Sequence, residues 1–437
     1  MSSELLGVLG VAVVLAALAV GPVGPTPRTA LAVGALAVSA ILLPVGLVAL
    51  GGVGLATAAV VDALAARRTP ASRRELPRLL ARGVPAPLLV TVAGPPGASV
   101  RIRQPRVPDV SVEPAEADTR LEARTVARRR GRHVLPPVAL RVTGPLGLAA
   151  WRREAAGPAE VLVYPDLPAA RRLVASVRTN RFGDPGNLRR GPLGLGTEFE
   201  SIREYSPDDD VRQVNWRATA RIGHPMSNQW RVEQDRDVVA VVDCGRLMAA
   251  PLGDRTRLDT AVDVVAAVAL VADEVGDRCG VVAFDDGVRR RLPPRRRGGE
   301  AVVQAVFDLE PRRVDADYEL AFRTVGRGKR AFVLVLTDLL EEAAAGPLLD
   351  AVPVLARRHA VTVASVADPD LERAVRTPPS TTDDVYTAVA ALDVLESRRR
   401  VAAHLRRTGA EVVEAGPDRL AAACVDAYLR AKTRAQL

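Results

Sequence analysis

AFVLVLTD, residues 331–338, is six apolar residues closed by a threonine and an aspartate. An unbroken apolar run of that length is the pattern of a strand buried on both faces. Four similar runs accompany it: VVAVVD at 238–243, GVVAF at 280–284, VTVASVAD at 361–368 and EVVEA at 411–415. Amphipathic segments lie between them. Leu258, Val262, Val265 and Leu270 fall on one helical stripe of residues 257–275, and residues 299–309, 348–359 and 394–409 repeat the idea. Strand alternating with helix predicts an α/β fold, a doubly wound parallel sheet with helices on both faces. VRRRLPP at 288–294, after the turn DDG, reads as an antiparallel edge strand. This domain takes residues 236–437. Ligands of such sheets bind beyond the carboxyl ends of the strands, where Asp243 and Asp338 stand.

Upstream, residues 169–235 read as a polar linker that ends in FESIREYSPDDDVRQVNWRATAR, residues 199–221. Aromatics are 3% of the chain, yet Tyr205 and Trp216 sit here beside three adjacent aspartates. Pro207 followed by Asp208, Asp209 and Asp210 is a helix-start pattern, because free backbone N–H groups favour carboxylates. Arg212 and Trp216, four apart, are expected on one helix face. A capped helix with Arg203 and Arg221 neutralising the aspartates is the structural reading. A hard-cation site would use the same oxygens, but the Asp-x-Asp-x-Asp-Gly spacing is missing. A docking surface is the third reading. The structural reading puts the loss on Arg212→Ala at roughly 1–3 kcal/mol.

Residues 85–168 alternate short strand-like runs with Pro/Gly punctuation, PLLVTVAG and ASVRIRQP among them. That spacing suggests a small β-sandwich-like module. Residues 65–84 read as a basic juxtamembrane linker. Before them, residues 5–27 and 29–61 carry no charge. A spanning helix needs about 20 apolar residues, so residues 1–64 are expected as a transmembrane helical hairpin turning near Gly21–Arg28, with Pro44 kinking the second helix. A cleaved signal peptide fits less well, since the start carries Glu4 and no Lys or Arg. Arg67, Arg68, Arg73, Arg74, Arg78 and Arg82 follow the second stretch and only Arg28 lies in the turn. The positive-inside rule then predicts a two-pass protein of the inner or plasma membrane with its main body in the cytoplasm.

The totals exclude several classes. The net charge of +9 invites a nucleic-acid partner, but only Lys329 and Lys432 of the 60 basic residues are lysines, and the Ala/Arg/Val/Gly bias is that of a GC-rich coding sequence. Stacking aromatics are scarce, so no nucleic acid is expected. Cys244, Cys279 and Cys424 are isolated, with neither zinc spacing nor an even disulfide framework. There is no Walker A sequence, Rossmann glycine fingerprint, nucleophile elbow or H-E-x-x-H. His133, His224, His359 and His404 are far apart, and Cys244 has no histidine near it in sequence.

The segment 199–221 resembles the signature of the bacterial family called domain of unknown function 58 (DUF58). Phe199, Glu200, Arg203, Glu204, Tyr205, Pro207, Asp209, Asp210, Arg212, Asn215, Trp216, Ala220 and Arg221 match, and Asp208 stands where the family usually has glycine. The likeness extends to the β segment, the apolar start and the C-terminal part. It implies a von Willebrand factor A-like C-terminal domain. Such domains often hold Mg²⁺ at an Asp-x-Ser-x-Ser loop, with a threonine and a later aspartate. Here Gly245 and Leu247 replace the serines. Asp315, Asp317 or Tyr318 are the oxygens near the threonine position. Only Asp243 and Asp338 remain as metal candidates, so no cofactor is expected unless Mg²⁺ binds there. The resemblance further implies a MoxR-type AAA ATPase as partner, beside the lipid bilayer; oligomeric state is open. The expected function is a membrane-anchored, non-enzymatic scaffold, with Arg203, Glu204, Tyr205, Asp209, Asp210, Arg212, Trp216 and Arg221 as its docking cluster and no catalytic residues. The alternative is a metal-dependent hydrolase of cell-envelope phosphoesters, drawing on Asp208–Asp210, Asp243 and Asp338.

Overall fold

The computed structural model describes residues 23–39, 41–179, 193–194, 198–206, 211–231, 236–326, 328–339 and 342–433. The chain divides into two compact units, residues 1–163 and 164–437.

In the first unit two antiparallel sheets share a core. One has the order Ala71–Glu75, Ala86–Ala93, Arg120–Ala127, Val110–Glu113; the other Val23–Pro25, Ala149–Ala155, Val138–Thr143, Ser99–Arg103, Glu116–Asp118. Successive side chains of a strand point to opposite faces. Leu88, Val90, Val92 and Leu121 of the first sheet therefore meet Val100, Ile102, Leu140 and Val142 of the second. A three-stranded sheet, Leu79–Ala81, Ala159–Tyr164 and Gly131–Leu135, buries Leu80, Leu135, Val161 and Val163. Two of these strands, Ala71–Glu75 and Leu79–Ala81, lie in the stretch expected as a linker. Ala71–Glu75 is an edge strand that buries little, so its composition is polar.

The apolar start differs from expectation. Residues 5–20 lie outside the described residues. The second apolar stretch is two helices, Pro27–Ser39 and Val45–Ala65, and among the described residues only the latter is long and apolar enough to cross a membrane. Pro44 breaks the stretch where a kink was expected. It offers no N–H and disfavours helix in the residue before it, and Val45–Ala65 begins directly after it. Val23–Pro25, expected inside a turn, pairs instead with Ala149–Trp151.

The second unit is built on a six-stranded sheet: β1 (Asp237–Asp243), β2 (Arg278–Phe284), β3 (Val288–Arg296), β4 (Ala331–Leu336), β5 (Ala360–Val366) and β6 (Glu411–Ala415), in the order β3-β2-β1-β4-β5-β6. All neighbours are parallel except β2–β3, whose edge strand is antiparallel. Among the described residues, seven helices follow β1: α1 (Arg257–Glu274), α2 (Gly299–Val306), α3 (Tyr318–Val325), α4 (Glu342–Ala356), α5 (Pro369–Arg376), α6 (Thr382–Arg407) and α7 (Leu420–Thr433). One face of the sheet buries α1, α2 and α7 with Leu167–Arg178, and the other buries α3, α4 and α6. The doubly wound pattern is thus present. α1 is buried almost all round, beyond the stripe its sequence suggests, because further helices cover the side away from the sheet. Leu167–Arg178 is one of them. The segment expected as a polar linker therefore starts with a core helix, capped by Asp166 and buried at Ala170 and Val177.

At the amino ends of the parallel strands, Lys432 Nζ lies 2.7 Å from Asp277 Oδ1 with both side chains buried. Tyr428 OH donates to Asp277 Oδ2, and its ring packs on Phe332. This pair fastens α7 to the loop before β2.

Candidate functional site

Asp243 is the last residue of β1 and is 1% exposed. Its Oδ1 accepts the Gly245 N–H at 2.7 Å. Its Oδ2 lies 2.9 Å from Tyr318 OH and 2.7 Å from Thr337 Oγ1, and the two hydroxyls are 2.7 Å apart. Three mutual contacts are fully met only by three protons, and two hydroxyls supply two. Burial raises the Asp243 pKa, opposed by the three donors. Burial also pushes Tyr318 well above its ordinary range, so it stays a donor. Gly245 is required here, since a Cβ would stand 2.9 Å from Val314 O. Beside this cluster lies a cleft of about 220 Å³ lined in part by Asp243, Arg246, Leu247, Asp315 and Pro347. Arg246 Nε reaches Asp315 Oδ1 across its mouth at 2.5 Å.

Asp338 follows β4 and is equally enclosed. Arg257 Nη1 and Arg398 Nη2 donate to its Oδ1 at 2.9 and 2.5 Å, and Ser365 Oγ lies 3.3 Å from the same atom. Arg257 Nη2 also reaches Asp368 Oδ2 at 3.0 Å. Arg398 Nη1 donates to Val366 O at 3.1 Å. Two buried guanidiniums face two carboxylates, so the group is neutral by its formal charges. Sequence order supports the geometry: Arg257 opens α1, fixed by the Thr256–Asp259 capping box, and Arg398 lies on α6.

These residues do not fit a hard cation. Mg²⁺ takes near-octahedral oxygen coordination. Both oxygens of Asp243 already accept from protein donors, Leu247 offers none, and two cationic side chains occupy Asp338. Of the four carboxylate oxygens of Asp243 and Asp338, Asp338 Oδ2 has no hydrogen-bond partner among the described residues, and one oxygen is not a site. The described residues contain no cluster of three or more metal-ligating side chains. Cys244, Cys279 and Cys424 are all free and buried, and burial raises the Cys424 thiol to about 12.

The signature segment is a hairpin with a helical insertion. Glu198–Glu204 pairs with Met226–Arg231, Arg203 opposite Ser227 and Glu204 opposite Met226. Tyr205 N–H donates to Pro225 O at 3.0 Å. Pro207, Asp208, Asp209 and Asp210 lie outside the described residues. Arg212 and Trp216 do not share a helix. Arg212 is on a 3₁₀ turn, Val211–Gln213, and the helix is Trp216–Ile222. Asn215 stops it from starting earlier: its side chain accepts from Ala218 N–H at 2.9 Å and donates to Asn228 Oδ1 at 2.7 Å. Arg203, Glu204, Arg212 and Arg221 are exposed, Tyr205 is half-buried, and Trp216 is 70% exposed.

Sequence reasoning found Asp243, Asp338 and Tyr318 but missed Thr337, Arg257 and Arg398. Thr337 adjoins Asp338 and was within reach. The arginines lie 81 residues before and 60 after Asp338, and in an arginine-rich chain nothing marks them.

Comparison with known proteins adds relatives without assigned roles. An uncharacterized protein of Mycobacterium bovis, and its counterpart in Mycobacterium tuberculosis, are each 27% identical over 195 residues, 43% of this chain and 59% of the relative. The match thus spans about three fifths of the length of these curated relatives. Among solved structures, the conserved hypothetical protein BatB from Bacteroides thetaiotaomicron superposes with a TM-score of 0.31 at 15% identity, covering 45% of this chain and 99% of that one. An uncharacterized membrane-spanning protein from Vibrio fischeri gives 0.17 at 18% identity, covering 42% and 92%. Scores that low do not define a shared fold. Residues 201–404, from the signature hairpin through most of α6, match the family described as protein of unknown function DUF58.

Proposed function

We propose that this chain is a membrane-anchored, non-enzymatic scaffold that works with a MoxR-type AAA ATPase in the assembly or activation of other proteins. Its α/β unit acts as a von Willebrand factor A-like binding domain whose metal position is filled by protein groups. The observation that carries this reading is the state of the two sheet-top aspartates. Both oxygens of Asp243 are engaged by Tyr318, Thr337 and the Gly245 N–H, and Oδ1 of Asp338 is held by Arg257 and Arg398.

Exposed apolar side chains supply the means of docking. Trp216 projects from the signature hairpin. Val385, Tyr386, Val389 and Leu392, exposed on the first half of α6, follow helical spacing. Tryptophan and tyrosine are the residues that most often anchor protein interfaces. Val45–Ala65 supplies the anchor: only 28% of its apolar window is buried, unlike the helix of a soluble core. The arginines after it favour a cytoplasmic body.

The test is recovery of the full chain from native membranes after crosslinking with and without ATP. The reading expects a MoxR-type ATPase to be captured in a nucleotide-dependent way and lost with Trp216→Ala or Tyr386→Ala. Stoichiometric Mn²⁺ or Mg²⁺ with phosphodiesterase activity would instead establish the hydrolase.

A further inference from the structure

The first unit holds the ends of its apolar helices in one place. Asp62, near the end of Val45–Ala65, is fully buried, and its side chain forms no ion pair among the described residues. Its carboxylate accepts three backbone N–H groups from one turn of the β module: Leu146 at 2.7 Å, Leu148 at 2.7 Å and Ala149 at 2.9 Å. Gly144 closes the fit, since a Cβ there would stand 2.2 Å from Asp62 Oδ1. One residue on, Ala63 O accepts from Trp151 Nε1 at 2.7 Å. The start of Pro27–Ser39 grips the same turn. Thr26 Oγ1 donates to Gly147 O, Thr29 Oγ1 donates to Leu148 O, and Thr26 N–H donates to Leu148 O at 3.1 Å. The two helices also touch each other, with Leu36 against Gly51.

Both feet are therefore clamped to residues 144–149, and the far end holds residues 41–44. That end is apolar: Ile41 and Leu42 are 81% and 83% exposed. No charge occurs from Thr29 to Val61, whereas Arg28, Arg67 and Arg68 cluster at the feet. Val45–Ala65 has 21 residues, about 31 Å of helix, which matches a hydrocarbon layer of about 30 Å. Pro27–Ser39 has 13 residues, about 20 Å, and reaches the same depth only with the turn that follows it.

We propose that residues 27–65 enter a phospholipid bilayer as a hairpin from the side on which the β module sits. Val23–Pro25 and Arg67–Arg68 then lie on that same side, and Ile41–Leu43 lies at the deep end among acyl chains. This reverses the side expected for the Gly21–Arg28 turn. It rests on the membrane-anchored reading above. The positive feet face anionic headgroups, and Trp151, stacked by Arg153, takes the interfacial position favoured by aromatics.

The test is single-cysteine labelling of the full chain in inverted and right-side-out membrane vesicles with a membrane-impermeant maleimide. The three native cysteines are buried and stay silent in folded protein. Gly24→Cys, whose side chain enters open space, Arg68→Cys and Glu122→Cys in the β module should label in the same vesicle orientation. Leu42→Cys should not label in that orientation. Labelling of Gly24→Cys only in the opposite orientation to Glu122→Cys overturns the proposal. So does labelling of Leu42→Cys together with Glu122→Cys in membrane-bound protein. Recovery of the chain in the soluble fraction is a separate result, and overturns the anchored reading itself.

Discussion

Two regions of this chain are rich in arginine and carboxylate, and burial separates them. In the signature hairpin Arg203, Glu204, Arg212 and Arg221 face solvent around an exposed tryptophan. At the top of the α/β sheet Arg257, Arg398 and Asp338 are at most 4% exposed. Charges in water interact weakly, because solvent competes and side chains lose freedom. Buried charges cannot be left alone, because each has given up its hydration. A buried lock of arginine and aspartate stands at the sheet top, whereas the aspartates of the lock that the sequence suggests for the hairpin lie outside the described residues.

Breaking the buried group should have the largest effect. Arg398→Ala leaves Asp338 short of a partner and should cost about 3–5 kcal/mol in chemical denaturation of the α/β unit. Adding Asp338→Asn to that variant should recover part of the loss. If Arg398→Ala melts like wild type, the sheet-top group is not a lock. The pair at the other end of the sheet should follow. Lys432→Met leaves Asp277 with Tyr428 OH and the Arg236 N–H, and a loss of about 2–3 kcal/mol is expected.

A third effect concerns pH. His359 Nδ1 accepts the Ala331 N–H at 3.2 Å, so its proton sits on Nε2, 3.3 Å from Gly326 O. Burial holds its pKa below the ordinary value. A group that resists protonation when folded contributes stability that is complete above the unfolded pKa. That stability should be lost as pH falls below about 6.5. The melting temperature should decline in that window, and His359→Asn should flatten the decline. The smallest effect belongs to the exposed region: Arg212→Ala should change stability by less than about 1 kcal/mol, below the 1–3 kcal/mol that a buried lock there would give. A larger loss would restore the signature segment as a lock.

The contrast also shows where the sequence was legible. VVAVVD and AFVLVLTD announced buried parallel strands because a strand covered on both faces needs no polar alternation. VRRRLPP announced an edge because its side chains face water. The positions of Asp243 and Asp338 followed from those strands. What fills them did not, because Arg257 and Arg398 arrive from distant helices and resemble the other arginines. Hydropathy ran through residues 29–61 without showing the break at Pro44, and it could not show that Asp62 is held by backbone N–H groups. The run Asp208–Asp210 stood out by composition and lies outside the described residues.

The account rests on the sheet-top carboxylates being consumed by protein groups, and thermal melting of the purified chain with and without excess Mg²⁺ tests this most directly. The prediction is an unchanged melting temperature in wild type, with Asp243→Asn giving the same curve at either Mg²⁺ level. A Mg²⁺-dependent gain approaching the roughly 2.7 kcal/mol expected at a hundredfold excess over Kd, present in wild type and absent in Asp243→Asn, would contradict it.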